Sequence, residues 1–186
     1  MYNIPAIIFA GGKSSRMQVD KALLPFEKYK TLSEFQYKKL QKYFHHVYLS
    51  SKKDKFDFEC EVLLDTHDVY SPLVALVSIF ERIDAESIFV LSVDAPLVDK
   101  SVLRKLFHAY DSQYDAIIAR SPQGLQPLCG IYNRSILTEA KNALSKDIHK
   151  LTHLLKSAHT HTVHFESEEL FTNLNFRHEY EKLCLS

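Results

Sequence analysis

Short apolar runs alternate with stretches of helical period along most of the chain. The runs at residues 4–10, 46–49, 62–64, 87–93 and 115–119 read as strands, the first of them buried. Between them, residues 31–44 carry Leu32, Phe35, Leu40 and Phe44 at spacings that share one side of a helix. Pro72 suits the first turn of a helix reaching to about residue 83, because its missing N–H would be unpaired there in any case. Asp99 is placed to cap another that runs to about residue 110. The first strand stops at Gly11-Gly12, the third at Asp65, and the fourth, Ser-Ile-Phe-Val-Leu-Ser-Val, at Asp94.

This repetition predicts an α/β protein with a mainly parallel sheet and helices on both of its faces. The remainder is less regular. It reads as a strand at 125–133, helices at 135–144 and 148–158, an alternating strand at 159–165, a polar loop at 170–175 and a closing helix at 176–183. No repeat, low-complexity tract or linker-like segment interrupts it, and 186 residues suit one core better than two, so residues 1–186 are expected to form a single domain. Ligands of such sheets bind beyond the C-terminal ends of the strands. Chemistry is therefore expected in the loops at 11–21, from 50 onward, 65–72 and 94–96.

Composition narrows the partners. Lys plus Arg and Asp plus Glu balance at 23 each, so the basic excess of a generic nucleic-acid binder is missing and any bound anion is held locally. No stretch approaches the ~20 apolar residues of a membrane span, and residues 1–12 lack the basic start of a secretory signal. Cys60, Cys129 and Cys184 are odd in number and form no C-x-x-C pair, which fits a reduced, cytoplasmic protein. Cys129, inside an apolar run, reads as a small core residue. Ten histidines include neighbours such as His149 and His153, but nothing in their spacing assembles the three convergent ligands of a catalytic zinc site.

The first loop concentrates the candidate chemistry: Ala10-Gly11-Gly12-Lys13-Ser14-Ser15-Arg16-Met17-Gln18-Val19-Asp20-Lys21. Paired glycines after a strand allow close approach to a ligand and a nest of backbone N–H groups. Ser14 and Ser15 add hydroxyls, and Lys13, Arg16 and Lys21 add cations. A triphosphate suits that set, with Arg for forked contacts and Lys as a point charge. The loop is not G-x-x-x-x-G-K-[ST], because Arg16 stands five residues after Gly11, and it is not G-x-G-x-x-G. Asp94, before Pro96, ends the clearest strand. A carboxylate there is the minimal protein contribution to a Mg²⁺ ion that also takes phosphate oxygens and water, although Asp-x-Pro serves plain turns as well.

The loop resembles the L-A-G-G-x-S-x-R-M-G-x-D-K signature of the molybdenum cofactor guanylyltransferases, the MobA family. Ala10, Gly11, Gly12, Ser14, Arg16, Met17, Asp20 and Lys21 match it, while Phe9 replaces the leucine and Gln18 the third glycine. Further segments follow in the family's order. These are Leu64-Asp65, Ser71-Pro72-Leu73-Val74-Ala75 for G-P-L-x-G, Ser92-Val93-Asp94-Ala95-Pro96 for C-D-x-P, Gln126-Pro127-Leu128, and Asn173-Leu174-Asn175 for N-x-N. Ser71 and Ala75 stand where the family usually has glycine.

The resemblance implies a Rossmann-like nucleotidyltransferase fold. It also implies GMP transfer from GTP to the terminal phosphate of molybdopterin, with Mg²⁺ as cofactor and pyrophosphate as leaving group. Lys21 would contact the α- or β-phosphate, Arg16 the β- and γ-phosphates, and Asp94 the metal. Phe9, Ala10, Gly11, Gly12, Ser14, Ser50 and Asp65 would bind the nucleotide beside Lys21 and Asp94. Gln126, Pro127, Asn173 and Asn175 would meet the acceptor. A phosphate nucleophile is already ionised at neutral pH, so positioning and charge neutralisation suffice. The family further implies transient contacts with cofactor-handling proteins and apo-molybdoenzymes, and neither nucleic acid nor membrane. The base pocket around Phe9, Ser50 and Asp65 leaves CTP open, and a phosphorylated sugar or alcohol acceptor or a non-catalytic nucleotide binder stay as alternatives at this point.

Overall fold

The apolar runs form strands that lie side by side in one sheet. In a computed structural model, which describes residues 1–11, 20–65, 69, 71–174 and 179–180, they are β1 (Ala6–Phe9), β2 (Val47–Ser51), β3 (Glu61–Leu64), β4 (Ser87–Ser92) and β5 (Ala116–Ser121), joined by β6 (Gly124–Asn133) and β7 (Thr160–His164). The strand order is β3-β2-β1-β4-β6-β5-β7. β1 is parallel to β2 and β4, β2 to β3, and β5 to β7. β6 alone runs antiparallel to both its neighbours. An apolar pattern does not record direction. The cause is the link from β5, only Pro122 and Gln123, which can close a hairpin but not a crossover.

Among the described residues, five α-helices cover the two faces. Ala6 and Ile8 of β1 point into a core shared with α1 (Leu32–Leu40) and α3 (Lys100–His108). Ile7 and Phe9 point the other way, into a core shared with α2 (Pro72–Arg82), α4 (Leu137–Ser145) and α5 (Leu151–Ser157). The expected caps form. Asp99 accepts from the N–H groups of Ser101 and Val102, and Pro72 opens α2 behind Ser71.

Some boundaries differ from expectation. α1 stops at Leu40 and α5 starts at Leu151, while a 3-10 turn, Arg134–Ile136, precedes α4. Residues 170–175, read as a polar loop, include Phe171 and Leu174, which are 3% and 1% exposed against the core. Their spacing is too short for either period to reveal that burial. Of the expected closing helix at 176–183, only Glu179 and Tyr180 lie within the described residues. Among the described residues, no helix is long and apolar enough to cross a membrane.

Candidate active site

The chain grows outward from β1 through β2 to β3, then returns to place β4 on the other side of β1. At that reversal the C-terminal ends of neighbouring strands splay and leave a crevice. Two adjoining cavities occupy it. One, about 280 Å³, is bordered by Phe9, Gly11, Ser50, Lys52 and Asp65. The other, about 400 Å³, is bordered by Asp94, Gln126, Pro127, Lys150 and Asn173. Pro72, Ser92 and Leu128 border both.

In the smaller cavity, Asp65 follows β3 and donates its N–H to the Ser51 carbonyl at 2.9 Å. Its carboxylate accepts from Ser78 Oγ at 3.2 Å and stands 3.4 Å from Lys52 Nζ. Ala10 is buried in the core and does not border the cavity. An added Cβ on Gly11 would meet Ser51 Cα at 3.4 Å, an ordinary contact, so the fold itself does not demand glycine at that position.

Both ends of the first loop are tied to one ammonium. Lys55 Nζ donates to the Ala10 carbonyl at 3.0 Å and to Asp20 Oδ2 at 2.5 Å. Asp20 Oδ1 accepts from the Ala22 N–H at 3.1 Å and so caps the 3-10 turn Lys21–Leu23. That turn presents Lys21, whose Nζ lies 3.0 Å from Asp94 Oδ2, with the two side chains 16% and 17% exposed. Ser92 Oγ donates to Asp94 Oδ1 at 2.5 Å. Asp20 of the D-K pair thus anchors the turn, and Lys21 is the side chain that the turn presents to Asp94.

The turn carrying Asp94 hangs on α1. Gln36 is fully buried, and its Nε2 donates to the carbonyls of Ser92, Val93 and Ala95 at 3.0–3.3 Å. One turn later, Lys39 Nζ donates to the Pro96 and Val98 carbonyls, both at 2.9 Å. Burial pushes the Lys39 pKa down from 10.5 to about 8. The Asp94 carbonyl accepts instead from the Leu174 N–H at 2.9 Å, which brings Asn173 to the larger cavity.

Gln126 and Pro127 reach that cavity through a bulge. Ile118 pairs with Gly130 but the next residue, Ala119, pairs with Gln126, so residues 127–129 bow out of the ladder with β5. Pro127, which lacks an N–H, is tolerated there. Gly130 closes the bulge, where a Cβ would lie 2.5 Å from the Ile117 carbonyl oxygen. Cys129 is buried and its thiol pKa is pushed up to about 12, as expected for an inert core residue. On the facing side, Ser71 Oγ caps the Leu73 and Val74 N–H groups and donates to the His149 carbonyl at 3.0 Å. A serine in place of the resembled glycine therefore has its own work, stapling α2 to the segment before α5.

Of the residues expected to act, Phe9, Gly11, Ser50, Asp65, Asp94, Gln126, Pro127 and Asn173 border the two cavities, and Lys21 joins them through Asp94. Gly12, Ser14, Arg16 and Asn175 lie outside the described residues. Lys52, Lys55, Gln36 and Lys39 were not anticipated. Gln36 carried a signal, since it sits four residues from both Leu32 and Leu40 within the apolar stripe, where a polar side chain needs a reason. Among the described residues, no three His, Cys, Asp or Glu side chains converge on a metal position. A cation at Asp94 would take one carboxylate and fill its remaining shell with phosphate oxygens and water, which suits a hard divalent ion.

A mainly parallel sheet with a divided crevice at its switch point, and a lysine and a carboxylate paired beside the division, is the architecture of α/β proteins that bind ligands beyond their strand ends. The particular family follows from comparison. The model of the MobA-like NTP transferase domain matches residues 6–163, and the chain belongs to that family. The molybdenum cofactor guanylyltransferase of Campylobacter jejuni subsp. doylei is 43% identical over 178 residues, covering 95% of this chain and 93% of that protein. The molybdenum cofactor guanylyltransferase of Helicobacter pylori is 34% identical over 185 residues, covering 96% and 90%. The solved structure of molybdopterin-guanine dinucleotide biosynthesis protein A from Archaeoglobus fulgidus superposes with a TM-score of 0.80 at 19% identity, covering 98% of this chain and 97% of that one.

Proposed function

We propose that this nucleotidyltransferase is a molybdenum cofactor guanylyltransferase, joining GMP from GTP to the terminal phosphate of molybdopterin. The observation that carries the reading is the Lys21–Asp94 pair beside the border of two adjoining cavities of about 280 and 400 Å³, room for a nucleotide and an acceptor side by side. The names of relatives that match over at least nine-tenths of both chains support it.

In this reading Phe9, Gly11 and Ser50 frame the nucleoside, and Asp65 accepts from the guanine edge. The motif alone assigns Ala10, Gly12 and Ser14 to the backbone cradle and Arg16 to the β- and γ-phosphates. Gln126, Pro127, Asn173 and Asn175 receive the acceptor. Lys21 exchanges its contact with Asp94 for the α- or β-phosphate, where charge builds in the transition state. Asp94, so released, would hold Mg²⁺, which supplies charge neutralisation to the triphosphate. The acceptor phosphate oxygen bonds to the α-phosphorus in line, the bond from that phosphorus to the bridging oxygen breaks, and pyrophosphate leaves with its electron pair. Since an ionised phosphate needs no general base, Gln36 and Lys39 contribute by fixing the Asp94 turn and so the geometry of attack.

Calorimetric titration with GTP, CTP, ATP and UTP, each with and without Mg²⁺, tests the reading. GTP is expected to bind most tightly, and only with the cation. Preference for CTP would replace the proposed product, and absence of nucleotide binding in the presence of acceptor would overturn the reading.

A further inference from the structure

The smaller cavity contains an ion pair of which the steps above use only the carboxylate. Lys52 follows Ser51 at the end of β2, and its Nζ stands 3.4 Å from Asp65 Oδ2, with side chains 17% and 6% exposed. Both residues border the cavity. The Asp65 carboxylate is fixed by Ser78 Oγ at 3.2 Å on Oδ1, and its backbone by the Ser51 carbonyl at 2.9 Å. A flat ligand entering there meets the two oxygens of a carboxylate and, beside them, an ammonium with three N–H donors.

Nucleobases differ in the order of donors and acceptors on their edges. Guanine presents the 2-amino group and N1–H as donors, then O6 as acceptor. Its complement is acceptor, acceptor, donor, the set that Asp65 and Lys52 offer. Cytosine, with one donor and two acceptors, would turn a lone pair toward the carboxylate. Adenine lacks an acceptor at position 6 and would turn an amino group toward the ammonium. Uracil has an acceptor on each side of its one donor. Each mismatch leaves a desolvated polar group unpaired, which discriminates more strongly than a lost contact alone.

We propose that Lys52 donates to guanine O6 and, together with Asp65 on N1–H and the 2-amino group, selects GTP. The inference rests on the function proposed above and extends it to a residue that neither the loop signature nor its spacing singles out.

The test separates the two. Wild-type protein is first titrated with the four common triphosphates. No preference for GTP there would overturn the proposed function and this inference together. Wild type and Lys52→Met are then compared on GTP, inosine triphosphate and 2-aminopurine riboside triphosphate. The first two carry O6 and the third does not. Lys52→Met is expected to weaken the O6-bearing nucleotides alike, by roughly 10- to 100-fold, the range for a hydrogen bond to a charged group, and the 2-aminopurine nucleotide by less than about threefold. Lys52→Gln keeps a donor of similar reach and is expected to retain most of the affinity for GTP. Equal weakening of all three nucleotides would place Lys52 on the phosphates and overturn the inference. Unchanged binding of all three would overturn it as well, in both cases leaving a wild-type preference for GTP intact.

Discussion

Lys39→Met is expected to change how stability depends on pH, and the direction follows from where the ammonium sits. Lys39 donates to two loop carbonyls and lies 5.2 Å from the Phe35 ring centroid, but among the described residues it makes no ion pair. Burial lowers its pKa, and the electrostatic pull of Cys129, Asp99 and Glu27 only partly offsets that, leaving a value of about 8 against 10.5. Between those two values the unfolded chain keeps the proton and the native chain does not. The unfolded state then binds more protons, so this group makes stability rise with pH. At about 1.36 kcal/mol per pKa unit, the rise by pH 10 is roughly 2–3 kcal/mol. The raised pKa values of Cys129 and Tyr132 act in the opposite sense at higher pH, since there the native state keeps the proton longer. Both proteins share those groups, so the difference between wild type and Lys39→Met isolates Lys39. Urea unfolding at a series of pH values from 7 to 10 measures it. The difference should be flat below about pH 7.5 and then move in favour of wild type. A flat difference throughout, or one moving toward the variant, would refute the buried placement of this ammonium.

Gln36→Met removes the donor shared by three carbonyls around Asp94. It should destabilise the fold by about 2–4 kcal/mol in urea and lower kcat more than GTP affinity, whereas a loss under about 1 kcal/mol with unchanged turnover would detach α1 from the Asp94 turn. Ser71→Ala loses both cap bonds and the tie to His149, and thermal or urea unfolding should show a loss of about 1–2 kcal/mol. Lys21→Ala should reduce turnover more than nucleotide affinity, as read from kcat and from calorimetric Kd, while an equal loss in affinity alone would confine Lys21 to ground-state binding.

β1, β2 and β4 were legible because burial on both faces leaves a nearly continuous apolar run, while the short edge strand β3 keeps only Val62-Leu63-Leu64 as its signal, and the chemistry was legible because α/β sheets put it where those runs end. Asp94 and the Gly11 loop follow from that logic, and Lys52, directly after Ser50-Ser51, could have been added by it. The reversal of β6 was not legible, since direction depends on a two-residue link rather than on side-chain pattern. The bulge at 127–129 was hidden for a similar reason: Pro127 marked an irregularity but not which way the chain bows. Lys39 and Lys55 resemble any solvated surface lysine in sequence. Only the fold shows that their ammonium groups end on loop carbonyls and on Asp20.

Transfer itself is the most direct measurement of the central claim. The protein is incubated with Mg²⁺, molybdopterin carrying molybdenum, and GTP labelled at the α-phosphate, and the label is followed by chromatography. The account predicts label in a guanine dinucleotide of the pterin, pyrophosphate released in equal amount, and loss of both in a folded Asp94→Ala variant. No labelled dinucleotide from wild type, or transfer at the wild-type rate by Asp94→Ala, would contradict it.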